Sequence, residues 1–359
     1  MPRKKIGIDA RMFSDQFTGI GRYTFELTKR LFQRKEIDWV IFMNDPEYSK
    51  FSFPKHVKKV CVNAKHYSAT EQTKFLKILN QEQCDLIHFT HFNLPLFYRK
   101  PFVVTIHDTT ISYYPGKKMN TWWRKSAYNL VIKHAVKASR EIITVSHNTA
   151  ADVKKLFKIN PGKIHPIHIG VDKSFKSKKT EKKHFLLYAG NWREHKNVTG
   201  LIDAFALLRT QHPDLKLVIT GKADPYYPEV PEAIQRHKLE KYIDLVGLVS
   251  QKELLKLYSE AEVFVFPTFY EGFGLPPLEA MAIETPVAAS CIASVPEVCG
   301  DAAAYFNPHS AGDMAEVIHH VLTDEKYQQE LIKAGKKQIK KFSWEACEKE
   351  TWKIYKSCL

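Results

Sequence analysis

No stretch of this chain is apolar for long enough to span a bilayer, and Met-Pro-Arg-Lys-Lys runs straight into the strand-like Ile6-Gly7-Ile8-Asp9 without a signal-type apolar region. The sequence therefore predicts a chain that is neither exported nor inserted. Its six cysteines (Cys61, Cys84, Cys291, Cys299, Cys347, Cys358) are scattered and form no Cys-x-x-Cys pair, which argues against a disulfide framework and suits reduced thiols in a cytoplasm. Asp-x-Asp is missing, and with it the usual carboxylate pair that holds a divalent cation. The pairs His88/His91 and His165/His168 lie on or beside expected strands with no convergent third ligand, so no metal and no cofactor are expected. Helix-turn-helix, RNP and zinc-finger spacings are absent too. The pI near 9.3 is thus charge without a reading device, and a nucleic-acid-binding protein is the weaker alternative.

What the chain does have is length for two domains, 359 residues, and a charge that is unevenly divided. On one side of a basic, weakly apolar stretch at 173–183, residues 1–183 carry 35 Lys+Arg against 15 Asp+Glu, a net of +20. Residues 184–359 carry 19 against 24, a net of −5. A field confined to one half implies an anionic partner for that half, such as a membrane surface or a phosphorylated substrate.

Short β-branched runs alternate with longer amphipathic segments in both halves, the pattern of repeated βα units. Strands are predicted at 6–9, 39–43, 86–89, 102–107 and 142–146, and again at 185–189, 216–220, 243–246, 263–266 and 287–289. Each half reads as a doubly wound α/β sheet, whose ligands lie beyond the carboxyl ends of the strands, so the cleft where two such domains face each other is the expected site.

Three segments fall at such strand ends. Gly19-Ile20-Gly21-Arg22-Tyr23 is predicted to open a helix and to bring backbone N–H groups to an anion, although Thr24 stands where a dinucleotide fingerprint needs its third glycine. Gly190 to Asn197 follows a strand and puts Arg193 and Lys196 where cations can neutralise a departing diphosphate. Most informative is Glu271-Gly272-Phe273-Gly274-Leu275-Pro276-Pro277-Leu278-Glu279-Ala280-Met281-Ala282, again after a strand. Its prolines suit a helix start, so the preceding glycine loop presents N–H groups, while Glu271 and Glu279 can accept the hydroxyls of a sugar and a ribose.

These residues resemble the large retaining glycosyltransferase family four, of the GT-B fold. Besides Glu271-x7-Glu279, the resemblance includes Gly19 to Tyr23, Thr105-Ile106-His107-Asp108, Thr144-Val145-Ser146-His147, Ile169-Gly170-Val171-Asp172, Val246-Gly247-Leu248-Val249 and Ser294-Val295-Pro296-Glu297-Val298. It implies two Rossmann-like domains, 1–172 joined by a C-terminal helix at 343–359 that crosses back, and 173–342 as the donor domain. By the same resemblance Glu271 would contact the transferred sugar together with the amides of Phe273, Gly274 and Leu275. Glu279 would hold the ribose, Lys196 the diphosphate, the loop ending at Val249 the base, and His107 would line the sugar site. One departure concerns the arginine that many members carry right after the glycine matching Gly190: this chain has Asn191 there and Arg193 later.

The start Gly-Ile-Asp-Ala-Arg with Thr-Ile-His-Asp and His-Lys-Asn resembles the branch of bacterial mannosyltransferases of surface polysaccharide synthesis, which implies GDP-mannose as donor, with UDP-glucose or UDP-N-acetylglucosamine as the alternative. The expected chemistry is a metal-independent, same-face displacement in which the leaving phosphate takes the acceptor's proton. Finally, Lys117, Lys118, Trp122, Trp123, Arg124 and Lys125 combine cations with interfacial aromatics ahead of a helix, which predicts docking on an anionic leaflet and a glycan or lipid-linked acceptor presented there.

Overall fold

The structure, a computed structural model, describes residues 3–14, 19–119, 121–177 and 180–359. They form two compact units, and neither is a contiguous piece of chain. The N-terminal unit is built from Met1–Thr109, Thr121–Gly170 and Ser343–Leu359; the C-terminal unit from Thr110–Asn120 and Val171–Phe342.

Seven parallel strands make the first sheet: β1 (Lys5–Asp9), β2 (Asp38–Met43), β3 (Val57–Cys61), β4 (Leu86–Phe89), β5 (Phe102–Ile106), β6 (Glu141–Thr144) and β7 (Ile164–Pro166), in the order β3-β2-β1-β4-β5-β6-β7. The inner strands β4 and β5 are buried along their whole length, as their near-continuous apolar sequences require of a sheet covered on both faces. The helix Trp344–Cys358 belongs to this unit and is stitched to it by Arg34 Nε on Glu348 Oε1 (2.6 Å), by Arg140 on the carbonyl of Cys358 (2.5 Å) and by a buried polar chain. In that chain the Tyr355 hydroxyl lies 2.5 Å from His88 Nδ1, His88 Nε2 lies 2.7 Å from Thr105 Oγ1, and Thr105 Oγ1 lies 3.0 Å from the Tyr23 hydroxyl. At Gly170 a Cβ would stand 2.3 Å from the backbone nitrogen of Trp344, so the bare α-carbon is what admits the helix start.

The second sheet holds β8 (Lys183–Ala189), β9 (Lys216–Thr220), β10 (Ile243–Gly247), β11 (Ala261–Phe266), β12 (Val287–Ser290) and β13 (Ala304–Phe306), all parallel, in the order β10-β9-β8-β11-β12-β13. A core cluster of this unit includes Leu186, Leu217 and Val263 of the sheet with Leu201 and Phe205 of the helix Val198–Leu208 and Ile318 of the helix Ala311–Thr323. No helix among the described residues is long and apolar enough to cross a membrane.

Candidate active site

In each sheet the strand order reverses once, between β1 and β4 in the first and between β8 and β11 in the second. At such a reversal the connections leave on opposite faces and open a crevice at the carboxyl ends of the two central strands. In the C-terminal unit those ends carry Lys196, after β8, and Glu271, after β11, and the two side chains form an ion pair. The pair is largely withdrawn from solvent, with 17% and 14% of the respective side chains exposed.

Local backbone holds both residues. Lys196 ends a single 3-10 turn, Glu194–Lys196, stopped by Asn197 in the left-handed region (φ 53°), whose Nδ2 donates to the carbonyls of Pro267 (3.0 Å) and Pro308 (2.8 Å). Asparagine tolerates that conformation better than most residues, and here its amide also ties the β8 loop to the β11 loop. The carbonyl of His195 accepts from the backbone of Phe269 (2.7 Å) and lies 2.8 Å from Thr268 Oγ1. Burial, and then the charges of Lys196 and Arg193, push His195 down to about 3, so it is neutral and acts as a spacer between the loops. Ser294 Oγ lies 2.9 Å from the carbonyls of both Glu271 and Phe273 and fixes the loop from below.

The helix Leu275–Ala282 starts after Gly274, which sits at φ +102°, and carries prolines in its first turn. A helix start offers N–H groups with no intrahelical acceptor, while Pro276 and Pro277 bring none, so the donors concentrate on the turn around Gly274 and Leu275. Glu279 lies one turn further and accepts from the Tyr258 hydroxyl at 3.2 Å. Tyr258 is fully buried, and burial with the Glu279 charge raises its phenol well above the usual range, keeping it a donor. Val249 is half-buried just past Gly247, another left-handed glycine, whose carbonyl accepts from Gly221 N and Thr220 Oγ1 at 2.8 Å each. Arg193 is exposed at the entry to the 3-10 turn.

In the N-terminal unit His107 lies just past β5, and its Nε2 donates to the carbonyl of Thr90 at 2.8 Å, leaving Nδ1 as the lone-pair atom of the neutral ring. Burial lowers its pKa, opposed by the Thr90 bond and by Asp108. The Tyr23 ring packs edge-on against it at 4.8 Å. The helix Gly19–Leu31 begins at Gly19 itself, so Gly19 and Gly21 both lie inside its first turn, Gly19 exposed and Gly21 buried. Thr18, before them, lies outside the described residues.

The basic-aromatic segment is divided. Lys117 belongs with the C-terminal unit, where it forms an ion pair with Glu229 in the first turn of the helix Glu229–Arg236. The side chain of Lys118 is outside the described residues. Trp122, Trp123, Arg124 and Lys125 begin the helix Trp122–Ala138 of the N-terminal unit, with Trp122 79% and Trp123 53% exposed, and Arg124 stacked over Trp123 at 4.9 Å. Tyr258, Asn197 and Ser294 were given no role by sequence reasoning. Their signal is tertiary: each is defined by which loop its side chain reaches.

The family described as Glycosyltransferase Family 4 matches residues 17–175, and that described as Glycosyl transferases group 1 matches residues 171–338. O-antigen chain mannosyltransferase B of Escherichia coli is 28% identical over 94% of this chain and 96% of its own. O-antigen chain mannosyltransferase RfbU of Salmonella typhimurium is 30% identical over 66% of this chain, which spans 64% of that protein. Among solved structures, sucrose-phosphate synthase from Thermosynechococcus elongatus aligns with a TM-score of 0.81 over 99% of both chains at 20% identity, a likeness of fold. With a family 4 domain matched to the first half, a group 1 domain to the second and a doubly wound sheet in each, the chain is a glycosyltransferase of the GT-B fold built from these two domains.

Proposed function

We propose that this enzyme transfers mannose from GDP-mannose, with retention of anomeric configuration, to a glycan or lipid-linked acceptor in bacterial surface polysaccharide synthesis. The mannosyltransferase names of its relatives support the sugar, and the Lys196–Glu271 pair at the strand-order reversal carries the reading. A nucleotide sugar brings a diphosphate for the cation and hydroxyls for the carboxylate, so both groups exchange a partner already of the right charge. Lys196, aided by Arg193 and the amides of Phe273, Gly274 and Leu275, stabilises charge building on the leaving phosphate. That phosphate's oxygen takes the proton of the incoming hydroxyl as the glycosidic bond breaks and the new one forms on the same face. Glu271 orients the sugar, Glu279 the ribose, and Val249 flanks the base. His107 is a neutral hydrogen-bonding residue for the sugar, and the glycine helix start at Gly19 and Gly21 serves the anionic side of the substrate.

We further propose a cytoplasmic enzyme that touches an anionic membrane through Trp122, Trp123, Arg124 and Lys125, because two large exposed indoles beside cations suit an interface. Sedimentation with anionic vesicles should fall when both tryptophans become alanine; unchanged sedimentation would remove this element. For the donor, melting temperature is followed with GDP, UDP, ADP and their sugar conjugates in EDTA, since a ligand of the native state alone must raise it. Shifts with GDP and GDP-mannose support the proposal, a UDP-only shift moves the donor to glucose or N-acetylglucosamine, and no shift defeats the donor site.

A further inference from the structure

The segment Thr110–Asn120 leaves β5 yet belongs with the C-terminal unit, and it is anchored there at two points. At the first, the Tyr114 ring lies parallel to Phe269 (6.2 Å between centroids, 10° between planes), and Phe269 in turn stacks on His309 (4.7 Å, 15°). At the second, Lys117 N donates to the Tyr227 hydroxyl at 3.2 Å, and Gly116 at φ +66° brings its α-carbon so near that hydroxyl that a Cβ would stand 2.5 Å from it. These anchors fix the neighbouring Tyr113. Its ring centroid is 5.3 Å from that of Tyr270, tilted by 37°, and Tyr270 is buried and directly precedes Glu271. Tyr113 itself stays 39% exposed.

An aromatic ring that is held in place yet 39% exposed, one aromatic neighbour away from the carboxylate that faces the transferred sugar, is suited to one kind of ligand. A pyranose has an apolar C–H face that lies flat on an aromatic ring. The donor's own groups are accounted for by Lys196, Glu271, Glu279 and the Gly274 turn. We propose that Tyr113 is the stacking platform for the pyranose ring of the acceptor, which makes the acceptor a glycan whose terminal sugar is recognised by its face. This rests on Glu271 as the residue for the transferred sugar.

The probe is a panel of octyl glycosides, α-mannoside, β-glucoside and β-N-acetylglucosaminide, titrated into the full chain in saturating GDP and followed by saturation-transfer NMR. Wild type should bind at least one of them. Tyr113→Ala should weaken that binding about five- to tenfold, Tyr113→Phe should hold it within about twofold, and the GDP-induced melting shift should be the same in all three proteins. Unchanged binding by Tyr113→Ala, a wild type that binds no glycoside, or an equal loss of GDP binding in Tyr113→Ala would each overturn the proposal. A wild type that ignores GDP but loses glycoside binding with Tyr113 would instead strike the donor reading and leave the platform standing.

Discussion

The Lys196–Glu271 pair makes opposite demands on stability and on nucleotide binding, and substituting either partner separates them. Two unit charges about 4 Å apart attract by about 4 kcal/mol at an effective dielectric near 20. Withdrawing both from water offsets a good part of this, and with 17% and 14% of the side chains still exposed we expect a net coupling of about 1.5–2 kcal/mol. Lys336–Glu284, with 51% and 36% exposed, should show about 0–1 kcal/mol by comparison. Calorimetry on Lys196→Met, Glu271→Gln and the double variant gives the coupling directly, each kcal/mol shifting the melting of a unit this size by about 2–4 °C. The functional arm is sharper. In the free enzyme Glu271 competes with the diphosphate for Lys196, so Glu271→Gln should bind GDP about three- to tenfold more tightly while transferring sugar at least about a hundredfold more slowly. Lys196→Met should lose most GDP binding. A Glu271→Gln enzyme that binds GDP more weakly than wild type, or that retains its turnover, would refute the exchange of partners.

Acid should destabilise both units, because His88 and His195 are each pushed by burial down to about 3 from 6.5. Below pH 6.5 the unfolded chain takes up protons the native fold refuses, so stability falls with pH across that window, by up to about 1.4 kcal/mol per pH unit for each histidine. A melting temperature flat between pH 7.5 and 5 would contradict this. Gly221→Ala should cost about 3 kcal/mol or more, since φ is +124° there and a Cβ would stand 1.8 Å from the carbonyl oxygen of Gly190; calorimetry reads the cost. Ser294→Ala, which frees the carbonyls of Glu271 and Phe273, should cost about 1–2 kcal/mol and lower kcat more than it weakens GDP binding.

The central strands of both sheets were legible because burial on both faces forces continuous apolar runs into the sequence. The strands that escaped are short or marginal: β3, an edge strand with the sequence Val-Lys-Lys-Val-Cys, and the three-residue edge strands β7 and β13, whose signal is too brief for a period of two to register. The Glu271 loop was legible because its glycines, prolines and carboxylates must lie side by side in the chain to make one strand-to-helix turn. The pairing of Lys117 with Glu229, 112 residues away, was not legible, because no local pattern marks a partner so distant in sequence.

The interleaving of the two units has a consequence for synthesis. The helix that completes the N-terminal unit, Trp344–Cys358, is translated after every residue of the C-terminal unit, and its Tyr355 supplies the partner for His88 deep in the first sheet. Until that helix has been made, the first unit therefore carries an open groove over Trp39, and His88 lacks the partner of its Nδ1. The nascent chain must wait in this half-closed form while some 170 residues fold beyond it, an interval in which a chaperone has something to hold. A gene cut after residue 170 would yield that waiting state permanently, and supplying residues 343–359 as a separate peptide is the way to rescue it.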